Sequence, residues 1–320
     1  MTAPVQEGPF ITVIVLTRNR ARLLAQGLDC LLRQDYPADR MEIVVVDDGS
    51  TDKTAEQVRA LSARDARVRY LGDGHRGIPA ARNAGIRAAR GEFIAIVADD
   101  YLLAPDYVRT FVSFFRERPD ASVVRFRIVP ARDNLSSRLS HFAYEISLRK
   151  RLDPDPGPLP RGLAAKARFV FSPPPLPAPE ITADHRLEAA GAAAYRREVF
   201  ERVGLFDESL GRAEDSDMGR RLRESGIAVY FNPHHTVAHQ YGPWREEVLA
   251  KNFRAGIYHQ RLAERGAARE EAGGAGHVIR RAVQMKGLAG AIVYLPTLLC
   301  AELARRAGMA YGRRRDRRRR

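Results

Sequence analysis

The chain has 320 residues, 45% of them apolar and 29% charged, a balance that excludes a fibre or a disordered tail and fits a globular enzyme-sized chain. Two cysteines, Cys30 and Cys300, exclude a disulfide framework and a four-cysteine zinc site, and they fit a reducing compartment. The net charge of +14 is unevenly placed: from His277 to Arg320 twelve basic residues face only Glu302 and Asp316, so ten of the fourteen charges sit there and the first 276 residues are nearly balanced.

Met1 to Phe10 is neither basic nor apolar enough for a signal peptide, which predicts a cytoplasmic body. The first third alternates strands and helices. Ile11–Leu16 is a β-rich run, and Arg20–Gln34 carries a helical stripe of Leu23, Leu24, Leu28, Leu31 and Leu32. Met41–Val46 is a second strand, after which Ser50 and Thr51 are placed to cap a helix through Val58 and Leu61. Val68–Leu71, Pro79–Ala89 and Phe93–Val97 read as strand, helix and strand. Strands separated by helices of this length predict parallel pairing, hence an α/β sheet covered on both faces. Ligands collect beyond the carboxyl ends of such strands, here Leu16, Val46, Leu71 and Val97.

Nine of the nineteen prolines fall between Asp153 and Glu180, too dense for a helix or a central strand. That segment reads as a linker or as an ordered loop beside the site. Regular patterning resumes at Ala190 and runs to about Tyr241, and the last eighty residues read as helices.

The strand ends carry the chemistry. After the first comes Thr17-Arg18-Asn19-Arg20. After the second, Asp47 and Asp48 precede Gly49; a carboxylate here can accept from a base or a ribose hydroxyl, or merely cap the next helix. After the third, Gly72-Asp73-Gly74-His75-Arg76-Gly77 matches the dinucleotide outline G-x-G-x-x-G. Pro79, at a first helical position, puts the helix start after the last glycine, and the run sits in the third strand–helix unit instead of the first. Both points argue against a nicotinamide or flavin oxidoreductase. After the fourth strand, Asp99 and Asp100 would repel each other without a cation or positive partner, and a hard cation such as Mg²⁺ takes one or two carboxylates with phosphate oxygens and water.

Val13 to Thr54 (VIVLTRNR…LLRQDYP…IVVVDDGSTDKT), Ala81 to Asp100 (ARNAGIRAARGEFIAIVADD), Tyr195 to Glu208 and Ala213 to Leu222 together resemble the family 2 inverting glycosyltransferases. The blocks stand in family order across roughly Pro9 to Tyr241. The resemblance implies a GT-A type fold, a Rossmann-like α/β/α domain with a mostly parallel central sheet, followed by a C-terminal helical extension. On that reading residues 1–245 form the transferase domain: about 9–130 the nucleotide-sugar half, 150–180 the Pro-rich loop, and 190–241 the acceptor and catalytic half. Residues 246–320 form the basic extension.

The resemblance also implies a nucleotide-sugar donor, a divalent metal (Mg²⁺ or Mn²⁺) and an acceptor that is a glycan, a lipid-linked sugar or a small molecule. Thr17 and Arg18 would line the nucleoside pocket, with Asp47 or Asp48 on the base and Arg82 near the diphosphate. Asp99 would hold ribose or sugar, and Asp100 the metal. Asp215 would be the catalytic base, with Glu214 and Asp217 as competitors; Asp217 and Arg221 could equally pair on a helix face. His239 would complete the metal or phosphate site, or bond to backbone. Ala98 and Ala192 depart from the family's usual aspartate and asparagine, which leaves a catalytically degenerate binding protein as an alternative. Trp244, the only tryptophan, reads as a packed aromatic or as a platform for an acceptor sugar.

Between Lys286 and Glu302 lie fifteen uncharged residues, Gly287 to Ala301. As a helix they would span about 22 Å, short of the ~30 Å hydrocarbon core, and Pro296 interrupts them. With its flanking arginines the segment suits an anionic membrane surface on the inner face of the cell membrane. A docked helix with a solvated tail is the competing reading. A tail with no aromatic beyond Tyr311 argues against nucleic acid.

Overall fold

The computed structural model describes residues 8–72, 74–152, 180–184, 191–211, 213–264, 294 and 296–315. By compactness they divide into two units, one of Met1–Val129 with Ile181–His239 and a second of Pro130–Glu180 with Gln240–Arg320. Compactness therefore breaks the chain at 239/240, and residues 130–180 group with the C-terminal segment.

The first unit is built on one sheet. Strands β1 (Ile11–Thr17), β2 (Met41–Asp47), β3 (Val68–Gly72) and β4 (Phe93–Ala98) lie in the order β3-β2-β1-β4, all parallel. Helices α1 (Ala21–Leu32), α2 (Thr54–Ser62) and α3 (Ile78–Ala88) connect them. β2 is buried along its whole length, as its unbroken apolar run requires of a strand covered on both faces. Its one charge within that run, Glu42, is buried but satisfied: it accepts from Thr12 Oγ1 (2.7 Å), Arg90 N (2.7 Å) and Arg69 Nη1 (2.6 Å). α3 lies so close to the sheet that a Cβ on Gly85 would stand 2.5 Å from Ile14 Cγ2.

Parallel pairing stops at β4. Beyond it the sheet is mixed: β8 (Ala193–Arg196) runs antiparallel to β4 and to β6 (Val123–Pro130), and the long β9 (Val229–His239) runs antiparallel to β5 (Tyr101–Leu103) and β7 (Thr182–Asp184). The reason is in the connections. β5 leaves β4 through a two-residue turn, too short for the crossover that a parallel neighbour needs, and β8 takes the place beside β4 in the opposite direction. α4 (Tyr107–Glu117) buries Tyr107, Phe111, Phe114 and Phe115. α6 (Glu198–Val203) and α7 (Glu214–Glu224) follow β8.

In the second unit, α5 (Leu135–Leu152), a π-helical turn at Arg245–Ala250, α8 (Lys251–Glu264) and a helix at 296–315, here α9, are described. The Pro-rich reading falls on 153–179, outside the described residues. No described helix is long and apolar enough to cross a membrane.

Candidate functional site

The site collects at the carboxyl ends of β1, β2 and β4, each one residue later than the apolar pattern suggests: Thr17, Asp47 and Ala98. The turn between β4 and β5 is two residues long, so Asp99 and Asp100 leave the sheet side by side, each 4% exposed. Thr17 Oγ1 donates to Asp99 Oδ2 at 2.8 Å. Arg20 Nη1 donates to both carboxylates, at 3.1 Å to Asp99 Oδ1 and 2.6 Å to Asp100 Oδ2. Burial pushes the Asp99 carboxyl up to about 6; Arg20 pulls against that, and the neighbouring Asp100 charge adds to it. Arg20 is the cation that two adjacent buried aspartates require, and it stays charged because Asp99 and Asp100 outweigh its own burial.

Arg20 is the residue that sequence reasoning passed over. Its signal was spacing: it stands three residues past the end of β1, at the start of α1, where a side chain can reach back over the neighbouring strand end. The family blocks include it without marking it. Arg18 is exposed.

His239 ends β9 opposite Tyr101 on β5, and the two rings meet edge to face with centroids 5.2 Å apart. Its Nε2 lies 3.3 Å from Asp100 Oδ2, so the imidazole faces the acidic pair. Two donors bound cis to one ion at about 2.1 Å stand about 3 Å apart. A carboxylate beside an imidazole fits Mn²⁺ with other oxygen donors better than the harder Mg²⁺, and the ion would share Asp100 Oδ2 with Arg20. Among the described residues no three His, Cys, Asp or Glu side chains are placed to hold one ion together, so the remaining ligands would be phosphate oxygens and water.

The aspartates after β2 are held by the surrounding loops. Asp47 accepts from Ser50 N (2.8 Å) through Oδ1 and from Tyr70 OH (3.0 Å) through Oδ2. Asp48 accepts from Gly77 N (2.9 Å) through Oδ1 and faces His75 Nδ1 at 3.2 Å through Oδ2. Gly49, at φ 74°, makes the turn; a Cβ there would sit 2.8 Å from His75 Cβ. Ser50 and Thr51 do not cap α2, which begins three residues later at Thr54. They bind Asn19 instead, Asn19 N donating to Ser50 Oγ and Thr51 N to Asn19 Oδ1, which ties the loops after β1 and β2 together. Asp52 supplies the acceptor for Thr54 N at 3.0 Å.

In the G-x-G-x-x-G run, α3 starts at Ile78 with Pro79 in its first turn, after the last glycine. The Gly77 amide, which a pyrophosphate would use in a dinucleotide fold, donates to Asp48.

The second carboxylate group lies at the start of α7. Glu214, its first residue, is buried and pairs with Arg82 of α3, Nη1 to Oε1 at 2.8 Å. The Arg82 side chain is largely enclosed, with its guanidinium carbon 5.0 Å from the Phe206 ring centroid. Burial alone would strip its proton more easily; the charges of Glu214 and Asp215 outweigh that and hold it protonated. Arg82 is therefore committed to the acids of α7. Asp215 is part-exposed and one of its oxygens accepts from Ser216 N at 2.9 Å. Asp217 is occupied by Arg220 Nη2 and Arg221 Nε, both at 2.8 Å, the pairing its helical spacing allows. Of the three acids, Glu214 and Asp217 are locked in ion pairs, while Asp215 keeps access to solvent beside a largely enclosed cation.

Ala192 is buried at 1% exposure. In the second unit, Trp244 is part-buried and its Nε1 donates to Thr297 Oγ1 at 3.2 Å.

Residues 12–204 match the family described as glycosyl transferase family 2. The chain belongs to that family. The transferase is 28% identical over 277 residues to the glycosyltransferase EpsJ of Bacillus subtilis, a match covering 82% of this chain and 73% of that protein. It is 36% identical over 132 residues to the succinoglycan biosynthesis protein ExoO of Rhizobium meliloti, covering 41% of this chain and 34% of ExoO. Its fold is that of GT-A glycosyltransferases. The mannosyltransferase PcManGT of Pyrobaculum calidifontis, solved with GDP-Man and Mn²⁺, superposes with a TM-score of 0.58 at 24% identity, covering 93% of this chain and 74% of that one. TarS of Staphylococcus aureus, residues 1–349, superposes at 0.52 with 17% identity over 92% and 91%.

Proposed function

We propose that the transferase is a metal-dependent, inverting enzyme that moves a sugar from a nucleoside-diphosphate donor to an acceptor hydroxyl in the synthesis of a cell-envelope polysaccharide or glycolipid. The observation that carries this reading is the paired arrangement of acids: Asp99 and Asp100 with His239 at one strand end, and Asp215 part-exposed at the start of α7. The succinoglycan relative supports the polysaccharide acceptor, and the mannosyltransferase neighbour with GDP-Man and Mn²⁺ supports the donor class and the metal.

In this reading Asp100 and His239 hold the metal, which, when bound, stabilises negative charge on the leaving diphosphate. Thr17 and Arg20 keep Asp99 fixed toward the ribose or sugar, and Arg18 lies at the rim of the donor pocket. Asp47 or Asp48 contacts the base; the oxygens of both meet partners of the fold, Ser50 N and Tyr70 OH for Asp47, Gly77 N and His75 Nδ1 for Asp48. The acceptor oxygen attacks the anomeric carbon from the face opposite the diphosphate. The bond to the phosphate oxygen breaks with its electron pair leaving on that oxygen, and the hydroxyl proton passes to Asp215. Base assistance of this kind contributes ~10²–10⁴-fold, and the transition state is oxocarbenium-like as in glycoside hydrolysis. Arg82 and Glu214 position the base. Residues 1–245 carry this chemistry, and the basic segment 246–320 holds the enzyme peripherally on the inner membrane face.

A panel of nucleotide sugars assayed with Mg²⁺ and with Mn²⁺ tests the proposal. Acceptor-dependent release of nucleoside diphosphate, abolished by chelator, is the expected result. Donor binding without release under any condition would favour a degenerate binding protein.

A further inference from the structure

Among the described residues the exposed large hydrophobics are Leu135, Leu299, Leu303 and Tyr311. Three of the four lie on α9, with Leu303 and Tyr311 four and twelve residues after Leu299. On a helix Leu299 and Leu303 share one side, whereas Tyr311 stands about a third of a turn round from Leu299 and its ring meets Phe253 of α8, centroids 5.9 Å apart. The buried residues of α9 mark the opposite side: they are Thr297, Leu298, Ala301, Gly308 and Gly312. That inner face is fixed by close packing on α8. A Cβ on Gly256 would stand 2.0 Å from Arg305 O, and one on Gly308 2.0 Å from Phe253 O, so the two helices touch backbone to backbone and α9 cannot roll to bury its other side.

The outer face is therefore apolar along its middle and basic at its flanks. Leu303 is 65% exposed and Tyr311 52%; Arg306, Arg313 and Arg314 are also exposed. Across residues 296–315 five arginines face one acid, Glu302, which is held by Arg305 and Arg306. A water-facing helix would bury the leucines and show the charges. An inner face that packs and an outer face that joins leucines and arginines, with a tyrosine at its edge, is the pattern of a helix lying in an anionic lipid interface, its apolar residues below the headgroups and its arginines among the phosphates.

We propose that α9 is the membrane-contacting element of the transferase, inserting Leu299 and Leu303 into an anionic lipid surface, with the half-exposed Tyr311 at the edge of the contact and Arg306, Arg313 and Arg314 on the headgroups. The proposal rests on the peripheral-membrane reading above and sharpens it. From sequence the apolar stretch Gly287–Ala301 is the expected contact; of its described residues Leu298 and Ala301 are buried, and the exposed stripe runs from Leu299 past the end of that stretch to Leu303.

The full chain is incubated with vesicles of phosphatidylglycerol and phosphatidylcholine, and with vesicles of phosphatidylcholine alone, and bound protein is measured by co-sedimentation. Wild type is expected to bind the anionic vesicles and to stay soluble with the neutral ones. Leu303→Glu with Tyr311→Glu should lower partitioning by roughly tenfold or more, and Arg306→Glu with Arg313→Glu should do the same at low salt. Leu135→Glu, an exposed leucine outside α9, should bind as wild type. All these positions are exposed, so unchanged thermal melts verify that each variant folds. If the Leu303/Tyr311 variant binds like wild type while replacing Arg317 to Arg320 with serine abolishes binding, the face is overturned and the membrane reading stands. If wild type binds neither vesicle, both fall. A lipid-free dimer that the Leu303/Tyr311 variant converts to monomer would overturn the proposal in favour of a second copy of this chain.

Discussion

Arg82 Nη1 lies 2.8 Å from Glu214 Oε1, and both side chains are largely enclosed. The pair joins α3, which follows the third parallel strand, to the first residue of α7, which carries Asp215 next in sequence. Opposite charges enclosed in this way cost desolvation, and together they contribute little net stability; removing one partner strands the other. Glu214→Gln should therefore destabilise the first unit by about 3–5 kcal/mol, read from urea unfolding. Removing both charges, as Arg82→Met with Glu214→Leu, should recover most of that loss. If the single variant melts like wild type, the pair is not what holds α7 to α3.

Asp215 should separate from its neighbours by function. Asp215→Asn keeps the side chain's size and its acceptor for Ser216 N, so melting and donor affinity should be unchanged while transfer falls by about 10²–10⁴-fold. Asp217→Asn should instead lower stability with the rate much less affected, because Asp217 accepts from Arg220 and Arg221. Wild-type turnover by Asp215→Asn, measured as nucleoside diphosphate release, would remove it as the base.

The β1–β4 half of the fold was legible because buried parallel strands read as unbroken apolar runs, as in Met41–Val46, and because helices between them leave little choice of pairing. β5, β7 and β8 are three or four residues long, too short for any period to register, so the antiparallel half of the sheet was not. At the site, Asp47, Asp48, Asp99 and Asp100 could be found as acids just past strand ends. Arg20 stood at a spacing that allows the reach, but which strand end its side chain meets depends on the fold. Ser50 and Thr51 looked like a cap by residue type, but Asn19, thirty-one and thirty-two positions away, takes both; local chemistry cannot see such a partner.

Metal dependence should follow Asp100 and His239. Their donor atoms lie 3.3 Å apart, and in the proposed site loss of either would leave a single protein ligand. His239→Ala should raise the Mn²⁺ concentration needed for half-maximal transfer by at least about tenfold, with saturating metal restoring part of the rate. Asp100→Asn should do more, because the carboxylate also binds Arg20. Equal metal response in wild type and His239→Ala would leave the imidazole as a partner of Tyr101 and Asp100 only.

His235 gives the first unit an acid sensitivity of its own. It lies on β9 among the rings of Tyr107 and Phe126, with Thr110 Oγ1 at 3.4 Å from Nδ1 and Asp106 Oδ1 at 3.9 Å. Burial lowers its pKa below the usual histidine value, and the Asp106 charge opposes that only in part. The unfolded chain therefore binds the proton more readily than the folded one, and stability rises with pH across that gap. The contribution is fully present above the ordinary histidine pKa of about 6.5, and it is lost as pH falls from there through the lower folded value. His235→Phe cannot take up this proton. Melting temperatures of wild type and variant compared at pH 7.5 and pH 5.5 should show the wild type losing more on acidification, and a difference independent of pH would mean that His235 stays neutral, or charges equally, in both states.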